Sequence, residues 1–214
     1  MFPLGLVNQG GTPPASWTKV LEMKFNNNFN DSTGRHSPVS YGAVTSAAQS
    51  VEGGYSLYAN QDGRVFTDNY NGDNADFNIG AGDIKIVCDI RPISIGNDYV
   101  WMKSVNSTFG YCIRILDIGG GSTLITLRDN GNIGIADYTI STSSLVDTWN
   151  NLEVIRESEV WKVYLNTSLI ATSSTILESS YPTSGTGKNG FTIAGAANTD
   201  RYSGYIDNFV VYTK

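Results

Sequence analysis

Short runs of alternating apolar and polar residues, each closed off by Gly, Asn, Asp or Ser, recur along most of this 214-residue chain. A side chain that changes face at every residue is the pattern of a half-buried strand. Leu21, Met23 and Phe25 alternate with Val20, Glu22 and Lys24. Ile84, Ile86, Cys88 and Ile90 alternate with Lys85, Asp89 and Arg91, Val87 being the one apolar interruption. Further strand-like runs are Tyr111 to Asp117, Ser122 to Arg128, Asn132 to Ile140, Leu152 to Arg156, Val160 to Asn166, Phe191 to Ala194 and Tyr205 to Tyr212. Trp101, Trp149 and Trp161 fall in such runs, where core or sheet packing is the default role of an indole. Only Ser144 to Asp147 and Ser174 to Ser179 have helical character, and each spans about one turn, too short to stand alone. The chain reads as all-β, with no repeating unit.

The turns agree. Asn130-Gly131 and Asn189-Gly190 place residues that accept positive φ between strand-like runs, the first as a tight hairpin. Glu157-Ser158 separates two runs expected to pair antiparallel with a charged tip in water. Residues 1–17 differ: Gly10-Gly11 and Pro13-Pro14 among small residues predict an extended arm, ending at Trp17, ahead of a domain spanning residues 18–214. The N-terminal residues have neither a basic region nor the apolar run of a secretory signal, and no stretch of 18 apolar residues offers a membrane span. A net charge of −6 opposes contact with nucleic acid or anionic membranes. Charged residues make up 16% of the chain against roughly 25% in an average protein, so a neutral polar surface rich in Asn, Gly and Tyr is expected.

Catalytic chemistry finds little to work with. There is one histidine, His36, in a polar loop beside Arg35 and Ser37, which reads as a surface residue without a nucleophile to activate. Cys88 and Cys112 sit in apolar runs and read as buried structural thiols, with a disulfide as the alternative. Glu157 and Glu159 are the closest glutamate pair, but they belong to a hairpin tip where water keeps both ionised. No catalytic residue is assigned. Asn106-Ser107-Thr108 and Asn166-Thr167-Ser168 match glycosylation acceptors, which mean little without a secretory signal.

Leu21 to Gly34 contains the strand and loop pattern F-N-x-x-x-x-D-S-x-G. Tyr55 to Asn60 and Gly82 to Ile86 are strand-like runs that follow it, and Trp149 to Val154, Val163 to Asn166 and Gly204 to Tyr212 come later in that order. Together these separated stretches resemble the opening loop, the strands that follow and the three C-terminal signatures of the concanavalin A-like, laminin G-like family. The resemblance covers about Lys19 to Lys214 and implies a jelly-roll β-sandwich of two antiparallel sheets, the concanavalin A-like lectin/glucanase fold. One departure is Thr167, where the family commonly has Gly after the equivalent of Asn166, so a wider or different turn is expected there.

The fold does not choose among lectins, adhesion modules, hydrolases and virion components. The family's E-x-D-x-E catalytic run is absent. Similar domains are frequent in phage structural proteins, which implies a non-enzymatic virion component (capsid decoration, fibre or tail), assembled in the host cytoplasm and released by lysis. Phe2, Leu4, Leu6 and Trp17 would attach it to capsid or tail proteins, and a homo-oligomer and cell-surface glycan contact are further expectations. A calcium-dependent carbohydrate-binding module or receptor binder is the alternative, and a divergent polysaccharide hydrolase ranks below it. The resemblance also implies a structural calcium held by Asp207 with oxygens from Asn28 to Asp31; the competing role for Asp207 is to accept backbone N–H bonds. Asp207 shares parity with Phe209 and Val211, which would turn its carboxylate inward. Asp68, Tyr70, Asn71, Asp73 and Asp76 form an oxygen-rich loop with the components of a sugar site, or a ligand-free turn. Tyr181, Tyr202 and Asn198 to Arg201 offer a second loop edge with the same two readings.

Overall fold

The computed structural model describes residues 16–60, 63–67, 75–77, 82–105, 109–129, 134–174, 190–195 and 202–214. Among them the alternation becomes fifteen strands: β1 (Thr18–Met23), β2 (Val39–Tyr41), β3 (Val44–Ser46), β4 (Ser56–Asn60), β5 (Arg64–Phe66), β6 (Ile84–Pro92), β7 (Asn97–Val105), β8 (Phe109–Gly119), β9 (Ser122–Asp129), β10 (Gly134–Ser141), β11 (Asn150–Glu157), β12 (Val160–Leu165), β13 (Ser168–Ser173), β14 (Phe191–Ile193) and β15 (Ser203–Thr213). Two antiparallel sheets form. The larger runs β13-β12-β11-β6-β15-β4-β3, with β1 also on β15, and the smaller runs β10-β9-β8-β7-β14-β5-β2. This is the jelly-roll sandwich that the resemblance implies.

The inward faces are the apolar halves of the alternating runs. Ile84, Ile86, Cys88 and Ile90 of β6 meet Ile113, Ile115, Ile125 and Leu127 of the other sheet in one buried cluster. A chain of rings crosses the interior: Trp161 lies 5.1 Å from Tyr111, Tyr111 lies 6.1 Å from Trp101, Trp101 lies 5.9 Å from Phe191, and Phe191 lies 5.8 Å from Phe209. The chain starts on the larger sheet, crosses to the smaller and returns, so it ties the two layers together; each such pair adds about 0.5–1.5 kcal/mol beyond its area burial. Cys88 and Cys112 are both buried and neither is in a disulfide, as expected for structural thiols, and burial pushes the Cys88 pKa far up, so Cys88 offers no reactive thiolate.

Five strands are not among the runs read from the sequence, and one of them, β7, enters that reading only through Trp101. β2, β3 and β5 are three residues each, too short for a period to show, and β13 is an edge strand whose Leu169 faces solvent. The expected antiparallel pairings are present: β11 pairs with β12 across Ser158 and Glu159, and β9 pairs with β10, but the last pair there is Arg128 with Gly134, so the connection is longer than the tight turn expected at Asn130-Gly131, and residues 130–133 lie outside the described residues. The expected Ser144 to Asp147 segment meets a single 3-10 turn, Thr142–Ser144, at Ser144, and the turn that follows reaches Asp147 at φ 58°. Residues 175–179 and Asn189 lie outside the described residues. Gly204 is required by close approach, since a Cβ there would lie 2.4 Å from the Arg91 carbonyl oxygen on β6.

The expectation of a wider turn after Asn166 is corrected. Leu165 pairs with Ser168, leaving a two-residue turn in which Asn166 and Thr167 have φ of 50° and 68°. Both central residues at positive φ is the geometry that matches strand twist, so topology holds a β-branched residue in a region it disfavours. Thr167→Gly should therefore raise stability by about 1 kcal/mol, seen as an increase in Tm of roughly 2–4 °C for a domain of this size. An unchanged or lower Tm would show that the hydroxyl bond from Thr167 Oγ1 to the Asn166 carbonyl outweighs the backbone strain.

Candidate functional site

Asp207 is fully buried, but on the outer side of the larger sheet. It pairs with Asp89, and β6 turns Ile86, Cys88 and Ile90 inward and Asp89 outward. The register slips between Asp207 and Val210, where Asn208 has φ 49°, so an extra residue resets the alternation and Phe209 and Val211 face the core instead. The inward direction inferred from parity is thus corrected. The cover over Asp207 comes from the loop before β4: its Oδ2 accepts the N–H of Val51 (2.9 Å) and Glu52 (3.2 Å), and its Oδ1 accepts the N–H of Asn208 (2.9 Å). Burial raises its pKa, the three N–H bonds oppose this, and the Asp89 charge adds to the rise.

Asp31 does a different job. Its Oδ1 accepts the N–H of Glu22 (2.9 Å) and Thr33 (3.0 Å), and its Oδ2 accepts Thr33 Oγ1 (2.5 Å) and the N–H of Arg35 (3.0 Å) and His36 (3.1 Å). The same loop feeds the free edge of β1: Ser32 N–H donates to the Glu22 carbonyl (2.8 Å), while Thr33 Oγ1 (3.2 Å) and His36 Nε2 (2.9 Å) meet the Val20 carbonyl. An edge strand's ladder groups are thereby satisfied by side chains and loop. Burial alone would raise the Asp31 pKa, but the Thr33 hydroxyl and the N–H donors outweigh it and hold it below the usual carboxylate value. Asn28 closes its own exposed turn, accepting the Asn30 N–H and donating to the Asn26 carbonyl. Asp31 and Asp207 each spend both oxygens on N–H or O–H donors, and among the described residues there is no group of three or more His, Cys, Asp or Glu placed to hold a metal ion.

His36 is not a surface residue. It is 8% exposed, its ring stacks on Phe77 at 4.5 Å, and Nε2 lies 3.6 Å from Asp76. Asp76 in turn takes Arg35 in a two-pronged bond, 2.6 Å from Nε and 2.5 Å from Nη2. Asp76 therefore fastens the 31–36 loop. Asp68, Tyr70, Asn71, Asp73, Tyr181 and Asn198 to Arg201 lie outside the described residues, as do Phe2, Leu4 and Leu6. Tyr202 is a core residue, fully buried with its hydroxyl donating to the Tyr205 carbonyl at 3.1 Å, which corrects its placement on a loop edge. Trp17 packs on its own domain, with Lys85 Nζ 5.9 Å and Lys214 Nζ 5.5 Å from its ring, and Lys214 is bonded at 2.7 Å to Glu157.

Sequence reasoning missed a group on the outer face of the larger sheet. Arg91, Tyr205 and Tyr58 stand in one cross-strand row, and Trp149 precedes β11 beside them. Tyr58 lies 5.0 Å and Trp149 6.5 Å from the Tyr205 ring, and all three aromatics are half-buried. Next to the row, Asp89 accepts Asn151 Nδ2 (2.8 Å) and Asn208 Nδ2 (2.9 Å). The parity of Tyr58 and Tyr205 opposite the core set was the available signal. The strand order β11-β6-β15-β4 that brings the four chain segments together was not in the sequence.

Residues 90–214 match the family model of the concanavalin A-like lectin/glucanases superfamily, and the chain belongs to that family. Among solved structures, domain 4 of AbnA, an extracellular arabinanase from Geobacillus stearothermophilus in complex with arabinotriose, is similar with a TM-score of 0.67 at 12% identity over 93% of this chain and 94% of that one. A carbohydrate esterase of the Shiga toxin-encoding bacteriophage phi24B is similar with a TM-score of 0.61 at 12% identity over 93% and 100%. The binding domain of botulinum neurotoxin serotype D/C has a TM-score of 0.61 at 18% identity over 91% of this chain and 48% of that one, so the chain spans about half its length. At these identities the likeness is one of fold. No curated protein matches the chain by sequence.

Asp31→Ala should cost about 3 kcal/mol, because the Glu22 N–H and its companions lose a charged acceptor in a site only 7% exposed. In the native protein the depressed pKa contributes stability above the ordinary value of 3.8 that is lost as pH falls through the lower folded value. Urea unfolding from pH 7 down to pH 2 should show this acid limb, and Asp31→Asn should flatten it; an unchanged limb would remove Asp31 from the edge-capping role.

Proposed function

We propose that the chain is a non-enzymatic, carbohydrate-contacting module of a phage particle, attached through residues 1–17. The observation that carries the reading is the placement of the two ends of the fold. Thr18 pairs with Thr213 and Thr213 with Ile84, so whatever precedes β1 and follows β15 leaves from one corner. The row of Arg91, Tyr205 and Tyr58 crosses the same sheet at its opposite end, roughly 23 Å away along β6. A module tethered at one end and carrying an aromatic, amide-rich face at the other is shaped for display. Trp17, held against Lys85 and Lys214, fastens the chain just before β1 to this corner.

Membership of a lectin and glucanase superfamily supports the carbohydrate part of the reading, and the phage esterase supports the use of this fold by phage proteins. Glu157, at the β11–β12 hairpin tip, is ion-paired with Lys214 at 2.7 Å, which lowers its pKa and keeps it ionised, against a general-acid role. Deleting residues 2–15 should abolish incorporation into particles while leaving Trp17, β1 and the Tm of the domain in place. Undiminished incorporation of the shortened chain would overturn the attachment claim. Release of reducing ends from a polysaccharide panel by the full chain would overturn the non-enzymatic claim.

A further inference from the structure

We infer that the outer face of the larger sheet, at the end remote from Thr18 and Thr213, is a binding site for a neutral pyranose, formed by Trp149, Tyr205 and Tyr58 with Asp89, Asn151 and Asn208. The inference rests on the reading of the chain as a carbohydrate-contacting module and names the surface and sugar class it would use.

The aromatic side comes first. Three half-buried rings meet on a sheet face beside outward positions of β6 and β11 occupied by Asp89, Asn151 and Glu153. Tyr205 stands between the other two, inclined at 35° to Tyr58 and 52° to Trp149, which makes a shallow, faceted wall instead of a closed stack. Arg91 supports the wall from the side. Its guanidinium lies 5.8 Å from the Tyr205 ring, its Nε donates to the Asp147 carbonyl (3.0 Å), and its Nη2 is 3.4 Å from the Asp147 carboxylate. The cation is thus held by a counter-charge and does not stand free to attract an anion.

The polar side lies two residues along β6, about 7 Å from the row. Asp89 accepts one amide N–H on each oxygen, from Asn151 and from Asn208, and each oxygen keeps a further lone pair. Asn151 is itself positioned by the bond from its backbone N–H to Asn166 Oδ1 (2.9 Å). A carboxylate flanked by two oriented amides is an array of acceptors and donors at the scale of vicinal sugar hydroxyls. A pyranose with its C–H face on the Tyr205 ring spans the distance to that array. Apolar faces and clustered hydroxyls on one small rigid ligand match a wall of rings beside planar polar groups.

Charge selects the class. Asp89 faces the surface, the Arg91 cation is paired with Asp147, and the whole protein carries −6. A sialic acid, uronic acid or sulfated sugar would meet repulsion here, whereas a neutral hexose would not.

The test is retention of the full-length protein on immobilised neutral, sialylated and sulfated oligosaccharides, with Trp149→Ala and Tyr58→Thr variants whose Tm is measured alongside. Both side chains are half-exposed, and Thr keeps a strand-forming residue on β4. Retention of neutral glycans that falls about tenfold or more in each folded variant would support the site. Neutral retention unchanged in both variants would overturn this site while leaving the carbohydrate reading standing. Retention of acidic glycans alone would overturn the sugar class. The absence of retention on every glycan would overturn both the site and the reading beneath it.

Discussion

β15 pairs with β6 along one side for nearly its whole length and with β4 and then β1 along the other, so four strands of the larger sheet share its geometry. Its sequence presents a conflict. A regular strand that turns Phe209 and Val211 inward would also turn Asp207 inward, placing a carboxylate among rings. The extra residue at Asn208 removes the conflict: Ile206 and Phe209 both reach the core, and Asp207 stays outside. The residue that takes positive φ is an asparagine, one of the few side chains that accept it readily. Its amide then bonds to Asp89, so the irregularity is fastened to the neighbouring strand. Phe209 against Phe191, Asp207 under Val51 and Glu52, and the polar array at Asp89 all follow from that slip.

Asp31 and Asp207 show how environment, not burial alone, sets the behaviour of a carboxylate. Both are buried and both accept backbone N–H groups. Asp31 adds a hydroxyl donor from Thr33 and more N–H donors, and these outweigh desolvation. Asp207 has three N–H donors, but faces the charge of Asp89 across the register pair, and desolvation prevails. The signs for stability are therefore opposite. Asp31 contributes above its unfolded pKa and fades in acid, while Asp207 binds its proton more tightly in the folded state and becomes unfavourable as pH rises through its raised value. The two loops they organise also differ: one covers the free edge of β1, the other lies over the outer face beside β4.

The fold was legible because most of its strands are long enough for a two-residue period to register, as in β6 and β11, and because the hairpin at Ser158 and Glu159 is marked by its own chemistry. What escaped was set by pairing at a distance. Three-residue strands such as β2 and β3 exist only because a neighbour supplies hydrogen bonds. His36 reads as a surface residue from its polar neighbours, yet Phe77, forty-one residues further on, provides the ring that buries it. Parity turns Asp207 inward and the structure turns it outward, because a bulge leaves no compositional mark beyond an Asn. Trp149, Arg91, Tyr205 and Tyr58 come from four chain segments, and only the strand order makes them neighbours.

The same strand order bears on binding versus hydrolysis at this face. Glycoside hydrolysis requires two carboxylates that reach one sugar, separated by about 5 Å or by roughly 6.5–9.5 Å. Asp89 and Asp207 are a register pair, and the raised pKa of Asp207 is the kind that a general acid needs. Reach is where the pair fails. Asp207 is enclosed by the Val51 and Glu52 backbone, and its oxygens face N–H donors that would have to be abandoned before it could approach a glycosidic oxygen. Asp89 remains half-exposed between two amides, oriented to accept hydroxyl groups. As placed, Asp89 is the one carboxylate of this pair that can reach a ligand on the outer face, so the pair as it stands lacks the shared reach that acid and nucleophile roles demand.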